Sequence, residues 1–327
     1  MSRKRLSETS TLVKLANGSV SVAISTLGAE PQDWRVDGNP LIWPGDPAWW
    51  PKQSPILFPL VGWTRNGEIR IKGKRYPLGL HGFASTQGFE ITERSTASVR
   101  MRLVDNASTR ALYPFGFALE VEYALSSTSL SARFTVRNPG PEPMPYALGL
   151  HPGFVFPFAG GSPQEHEVVF GKGVSPHVPR IAPGGLIARA SRRVPLENGR
   201  LRLAPELFEN DALCFLDAAS TDVAYVNGRG QAIEISVEDF PHIALWTRPG
   251  APYLSSSAGR AIATLRASKA IFSRNPRCGF SVLEGERAMA SPMSGDRDKA
   301  SPDHPILAMR QALAYVSPEK RSAGEKA

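Results

Sequence analysis

Two stretches seventy positions apart repeat one pattern: Leu78-Gly79-Leu80-His81-Gly82-Phe83 and Leu148-Gly149-Leu150-His151-Pro152-Gly153-Phe154. An imidazole has a reference pKa near neutrality, so it can give or take a proton under ordinary conditions. In both stretches an apolar run ends at the histidine and a glycine turn follows. For His151 the strand-end position leaves the ring at the rim of a sheet, where sites form. A lone histidine after a strand more often serves as a structural hydrogen-bond partner, and that reading stands beside the catalytic one. Neither stretch has a second ligand at metal spacing. The chain also lacks a Gly-x-Ser-x-Gly elbow and a phosphate loop. His151 and His81 are the candidate acid–base pair, with no metal and no cofactor expected.

The elements that must hold these rings read as strands. From Phe117 to Leu125 and again from Leu130 to Val136, apolar residues alternate with small or charged ones, as in a hairpin with one apolar face. Asn138-Pro139-Gly140 closes it, and Met144 to Leu150 is the strand expected to present His151. Residues 12–36 and Glu68-Ile69-Arg70-Ile71 alternate in the same way, the latter between turn signals at Asn66-Gly67 and Lys72-Gly73. Phe158 to Gly199, rich in Pro, Gly and Ser, reads as long loops, and Leu201 to Leu213 as a short helix or turn. No βαβ rhythm and no fixed repeat occur, so the expected class is all-β, a sandwich or barrel. Trp43, Trp49 and Trp50 fit either core packing or an aromatic wall beside a ligand.

Bulk properties narrow the function further. At 327 residues and 42% hydrophobic, the chain can bury one large core or two modest ones. Twenty-nine Gly and twenty-nine Pro suit short strands separated by turns. The polar stretch Met1 to Gly18 gives no secretion signal, and no apolar run is long enough for a membrane span. Cys214 and Cys278 fit free thiols of a cytoplasmic protein. The net charge of +8 is uneven: residues 255–327 hold 12 Lys/Arg against 7 Asp/Glu, while the preceding body is near neutral. A nucleic-acid binder should show a basic stripe with interleaved aromatics, and the body has none.

The order of Trp43, Gly45-Asp46-Pro47, Pro55-Ile56-Leu57-Phe58-Pro59-Leu60-Val61-Gly62, Tyr76-Pro77 and His81-Gly82-Phe83-Ala84 resembles the aldose 1-epimerase (galactose mutarotase-like) superfamily, in particular its LacX-type branch. His151-Pro152-Gly153-Phe154, Glu209-Asn210-Asp211-Ala212-Leu213, Phe240-Pro241-His242, Leu245-Trp246-Thr247 and Pro249 to Tyr253 continue the resemblance, which covers roughly residues 12–254. It implies an antiparallel β-supersandwich and an isomerase that interconverts the α and β anomers of an aldose or aldose derivative. It further implies that His151 protonates the ring oxygen while a carboxylate base takes the proton of the anomeric hydroxyl. His81 would hold a hydroxyl or the ring oxygen, and Arg65 and Asp211 would bind the substrate. In many LacX-type chains an arginine directly follows the glycine matching Gly62; here Trp63 does. Asp211 can equally be read as a turn-forming aspartate.

The chain departs from the family after Leu254. A short apolar pair and then the catalytic glutamate are expected there, but Ser255-Ser256-Ser257 follows, and no carboxylate occurs before Glu284. A shifted reading frame accounts for this: with suitable codons, the shifted frame from Ser255 spells Ile-Glu-Arg-Trp-Ala-Gly, the family's continuation. Codons incompatible with that reading in the gene would sink the idea. The alternative is a divergent C-terminus with Glu284 or Glu286 as base. The expected organisation is a mutarotase-like domain at 1–254, truncated at its last strands. A basic tail at 255–327 would follow, disordered in composition at 288–305 and 317–327, with one short amphipathic helix at 305–316. Two functions follow: an aldose 1-epimerase-like enzyme, impaired if the glutamate is lost, or a non-catalytic carbohydrate-binding protein. A sugar is the expected partner, with no nucleic acid and no membrane. The sequence is silent on oligomeric state and on which sugar.

Overall fold

In the computed structural model, residues 10–171, 173–216, 222–265 and 277–284 are described, those beyond Gly259 as backbone strand. The architecture is all-β. A ten-stranded antiparallel sheet runs in the order Leu196–Glu197, Arg200–Arg202, Glu167–Phe170, Asp222–Val226, Gln231–Glu238, Arg277–Glu284, Ser129–Arg137, Ala118–Leu125, Ser98–Val104, Glu90–Arg94. A six-stranded sheet lies against it, ordered Leu213–Phe215, His242–Trp246, Tyr253–Leu265, Met144–Leu150, Ile56–Leu57, with Gly153–Val155 also paired to Tyr253–Leu265. Leu12–Asn17, Val20–Ser25, Glu30–Val36 and Asn39–Pro40 form a four-stranded sheet. No helix among the described residues is long and apolar enough to cross a membrane.

Alternation decides which faces meet. In the Ala118–Leu125/Ser129–Arg137 hairpin the register sets Leu119 opposite Val136, Val121 opposite Phe134, and Tyr123 opposite Ala132. All six are buried. A period of two puts such residues on one face and the intervening Glu120, Glu122 and Arg133 on the other. The six-stranded sheet answers with Ile56, Leu148, Leu150, Leu213, Phe215, Ile243, Leu245, Leu254 and Ala258, which join the same apolar cluster. Its alternate residues, Leu57, Cys214, Ala244, Trp246, Ser257 and Gly259, line a cleft on the opposite face. The core thus fixes the geometry of the cleft, because the same strands carry both.

Two expectations change. Residues 158–199 are not all loop: they contain the strand Glu167–Phe170 and a hairpin of His177–Ala182 with Leu186–Arg193. That hairpin buries little beyond Val178, so its sequence carries no apolar alternation, and its Pro and Gly content reads as turn. At the other end, the boundary at 254 falls inside a strand. Backbone pairing runs on to Leu265, and Arg277–Glu284 lies between Gln231–Glu238 and Ser129–Arg137 inside the larger sheet. Residues 266–276 and 285–327, with the expected disordered stretches, the short helix and Glu286, lie outside the described residues.

Candidate functional site

His151 sits where a strand breaks. Met144–Leu150 pairs with Tyr253–Leu265 up to Leu150 opposite Ala258, and pairing with the same strand resumes at Gly153 opposite Ser255. Pro152 has no N–H to give the ladder, which accounts for the interruption. The gap is held by other bonds: the His151 N–H donates to Pro55 O (3.1 Å) and the Ser256 N–H to Pro152 O (3.1 Å). The ring is buried, with Nδ1 2.5 Å from Ser255 Oγ and 2.6 Å from Ser257 Oγ. Ser255 Oγ also donates to Pro152 O at 3.0 Å.

His81 is held in a left-handed conformation, φ +63°, that non-glycine residues rarely adopt. Three bonds fix it there. Its N–H donates to Gly62 O (3.0 Å), its carbonyl accepts from the Phe58 N–H (3.2 Å), and its Nδ1 accepts from the Gly62 N–H (3.0 Å). Gly82 follows at φ +72°, and a Cβ there would lie 2.3 Å from Phe58 O. The Leu-Gly-Leu-His-Gly stretch therefore needs its last glycine so that the chain can pass close to Phe58. Backbone strain concentrated beside a candidate catalytic group is typical of sites whose surroundings over-determine them.

The structure brings the two histidines together, with ring centroids 5.5 Å apart, edge to face. Trp50 lies 5.0 Å from the His151 ring and Trp246 lies 6.2 Å from it, and Trp50 stacks on Tyr253 at 5.5 Å. Trp50 borders the cleft and also packs on the apolar cluster of Trp43, Ala251 and Tyr253 behind it. The cleft over these rings encloses about 980 Å³. Flat apolar rings beside hydrogen-bonding imidazoles suit a ligand with C–H faces and hydroxyls.

Burial controls the charge of the pair. Desolvation pushes His81 down to about 4. Desolvation, and secondarily the neighbouring His81, pushes His151 down to about 3. Both rings are neutral at pH 7, because a buried imidazolium would lose its hydration without gaining a counter-charge. On the far wall burial drives the Cys214 thiol up to about 12, with Asp211 adding to the effect. Among the described residues no three His, Cys, Asp or Glu side chains group as a metal site.

Arg65 and Asp211 both border the cleft, as exposed residues at its rim. Arg65 opens a single 3-10 turn, Arg65–Gly67. Asp211 has φ +72°, its Oδ1 accepts from the Ala212 N–H at 2.7 Å, and its carbonyl accepts from Arg192 (3.4 Å). The turn-forming reading of Asp211 and its place at the cleft are thus compatible. Glu284 has its backbone at the end of a strand in the ten-stranded sheet, opposite Gln231, and not in the sheet that carries His151. Cleft residues without an assigned role include Trp246, His242 and Glu68. Trp246 and His242 lie on one strand, so the alternation of His242-Ile243-Ala244-Leu245-Trp246 could have placed them on the face opposite Leu245. Glu68 comes from a separate hairpin, Glu68–Ile71 with Lys74–Pro77, which no local pattern ties to the histidines.

The family model for aldose 1-epimerase matches residues 11–278. The chain belongs to the aldose 1-epimerase family. It is 32% identical to the plasmid form of protein LacX of Lactococcus lactis subsp. lactis over 246 residues, covering 72% of this chain and 82% of that protein. A galactose mutarotase-like protein from Lactobacillus casei ATCC 334 superposes with a TM-score of 0.74 at 24% identity, over 83% of this chain and 99% of the other. A galactose mutarotase related enzyme from Lactobacillus acidophilus gives 0.74 at 25% identity, over 84% and 97%. Ser257 also borders the cleft, with its hydroxyl against the His151 ring.

Proposed function

We propose that this protein interconverts the α and β anomers of an aldose or aldose derivative by acid–base ring opening, within the sugar epimerase role of its family. The observation that carries this is the meeting of His81 and His151 at 5.5 Å beside Trp50, in a cleft large enough for a sugar. Ring opening moves one proton from the anomeric hydroxyl to the ring oxygen, and two imidazoles are suited to that task. Arg65 and Asp211 at the rim are proposed to hold the sugar's other hydroxyls. The proposed setting is cytoplasmic, with a small sugar as the only partner class.

Ser257 favours a second reading, a carbohydrate-binding protein that keeps the pocket without the chemistry. Polarimetry on freshly dissolved α-D-glucose and α-D-galactose separates the two, with His151→Ala as control. The enzyme reading expects rates above buffer that His151→Ala abolishes. Rates equal to buffer, with binding still visible as a change in tryptophan emission from Trp50 and Trp246, would leave only the binding protein.

A further inference from the structure

Residues 50–55 bridge the gap that Pro152 leaves in the ladder. The His151 N–H donates to Pro55 O (3.1 Å), and the Gly153 N–H donates to Gln53 O (2.7 Å). Both sides of the break are thus tied to one short segment, which runs on into Ile56–Leu57, the last strand of the six-stranded sheet. Trp50 opens the same segment and packs on the His151 ring at 5.0 Å. Its carbonyl accepts from the Trp43 Nε1–H at 2.9 Å. With these carbonyls committed, the N–H groups of Gln53 and Ser54 need an acceptor of their own. Ser54 is only 1% exposed, and a buried N–H without a partner is costly.

One carboxylate oxygen meets both donors. Glu30 Oε1 accepts from the Gln53 N–H at 2.8 Å and from the Ser54 N–H at 3.0 Å. Glu30 opens the strand Glu30–Val36 of the four-stranded sheet and is 4% exposed. A carboxylate is costly to bury unless it is paired and hydrogen-bonded. Its two N–H bonds are charge-assisted, and Lys52 Nζ stands 3.9 Å from Oε2 while donating to Ser85 O at 3.3 Å. Glu30 is also held from behind. Ala29 takes φ +47°, and its carbonyl accepts from the Tyr123 hydroxyl (2.9 Å) inside the core. A continuous path therefore runs from Tyr123 through Glu30 and residues 53–55 to His151. We infer that Glu30 is a positioning residue for the cleft: its carboxylate sets residues 50–55 so that Trp50 and Pro55 hold the His151 ring in place. Its effect on rate rests on the proposed mutarotation; its effect on the ring rests on the geometry alone.

The bonding separates this role from simple space-filling. Gln53 gives its N–H to Glu30 and its carbonyl to Gly153, while Ser54 gives its N–H to Glu30 and precedes the carbonyl that holds His151. Without the carboxylate two N–H groups lose their acceptor, and the segment must turn to find another. Trp50 and the His151 backbone move with it. A reacting group misplaced by about 1 Å can cost ~10²-fold in rate. The sheet beneath keeps its own pairing, with Leu57 opposite Gly149 and Ile56 opposite Leu150. Arg65 and Asp211 reach the cleft from other segments, so kcat should suffer more than KM. In Glu30→Gln an amide oxygen accepts the same two bonds. Glu30→Asp, one methylene shorter, cannot reach both donors.

The test uses the whole chain with ¹³C-labelled histidine, and α-D-glucose and α-D-galactose as probes in polarimetry. Glu30→Ala should lower kcat ~10²-fold with a smaller change in KM. It should also shift the His151 Cε1–H resonance, which lies in the ring current of Trp50. Glu30→Gln should return both readings most of the way to wild type. Glu30→Asp should fall between, and it carries the test if Glu30→Ala does not fold. A lower melting temperature with wild-type kcat and an unmoved His151 resonance would overturn the positioning role and leave mutarotation standing. A loss in Glu30→Gln as large as in Glu30→Asp would overturn the assignment to the acceptor oxygen. If the wild type itself does not exceed the buffer rate, the mutarotation reading falls. The His151 resonance then decides the inference alone: moved in Glu30→Asp and restored in Glu30→Gln, it stands; unmoved, it fails.

Discussion

At the scale of single residues, the cleft's chemistry turns on Ser257. A carboxylate at this position would project from the same strand face towards His151, and a well-placed general base typically contributes ~10²–10⁴-fold. Ser257→Glu is expected to raise the mutarotation rate within that range and to move the His151 pKa upward from about 3, because a nearby negative charge favours the imidazolium. Polarimetry and a histidine titration by NMR check the two halves separately, and an unchanged rate with a raised pKa would show that the carboxylate is present but not aimed at the anomeric hydroxyl. The buried pair also makes stability depend on pH. Both folded-state pKa values lie below the unfolded value, so between pH 6.5 and about 3–4 the unfolded chain binds protons that the folded chain does not. Stability is therefore full above pH 6.5 and lost as pH falls through that window, each ring costing about 1.4 kcal/mol for every pH unit crossed. The melting temperature should decline on acidification below pH 6.5, and His151→Gln should flatten the decline; equal pH profiles for the two proteins would contradict it.

Elements were legible in proportion to how one-sided they are. The Ala118–Leu125 and Ser129–Arg137 strands bury every second residue against a sheet that leaves their other face to solvent, so alternation was enough to draw them. Met144–Leu150 is buried on both faces but ends at a Pro-Gly turn, and the turn located His151. The His177–Ala182/Leu186–Arg193 hairpin was unreadable because it buries little on either face. Its contribution is tertiary. The turn residue Gly185 packs on the Trp63 indole so closely that a Cβ would lie 2.1 Å from Trp63 Cδ1, at a φ of +75° that already disfavours side chains. This contact joins the hairpin to the segment that carries Gly62, whose N–H and carbonyl both bind His81. Gly185→Ala should thus displace the hairpin from Trp63 and weaken sugar binding, at a backbone cost of ~1–2 kcal/mol. Titration of tryptophan emission with sugar checks affinity, and a thermal melt checks that the sheets remain intact. The same logic could not have been read from spacing, since Gly185 and Trp63 lie far apart in the chain and neither is in a patterned element.

For the whole molecule, the question raised by the sequence is whether residues 1–254 are a unit. We propose, from the strand pairing, that they are not. Tyr253–Leu265 is paired on both sides, with His242–Trp246 along one edge and with Met144–Leu150 and Gly153–Val155 along the other. Ending the chain at Leu254 would split the six-stranded sheet through its middle and remove Ser255 and Ser257 from the His151 ring. It would also take Arg277–Glu284 from between Gln231–Glu238 and Ser129–Arg137, dividing the ten-stranded sheet. Each new edge would expose a row of unpaired N–H and C=O groups beside apolar side chains such as Phe134 and Ile235, a template for intermolecular pairing. The 1–254 fragment is therefore expected to lack a cooperative melt and near-ultraviolet circular dichroism and to elute as large aggregates, whereas the full chain unfolds in a single transition. A monomeric 1–254 fragment with a sharp melt would show instead that the domain boundary read from composition is the physical one, and that the two central strands add to the sheets without holding them together.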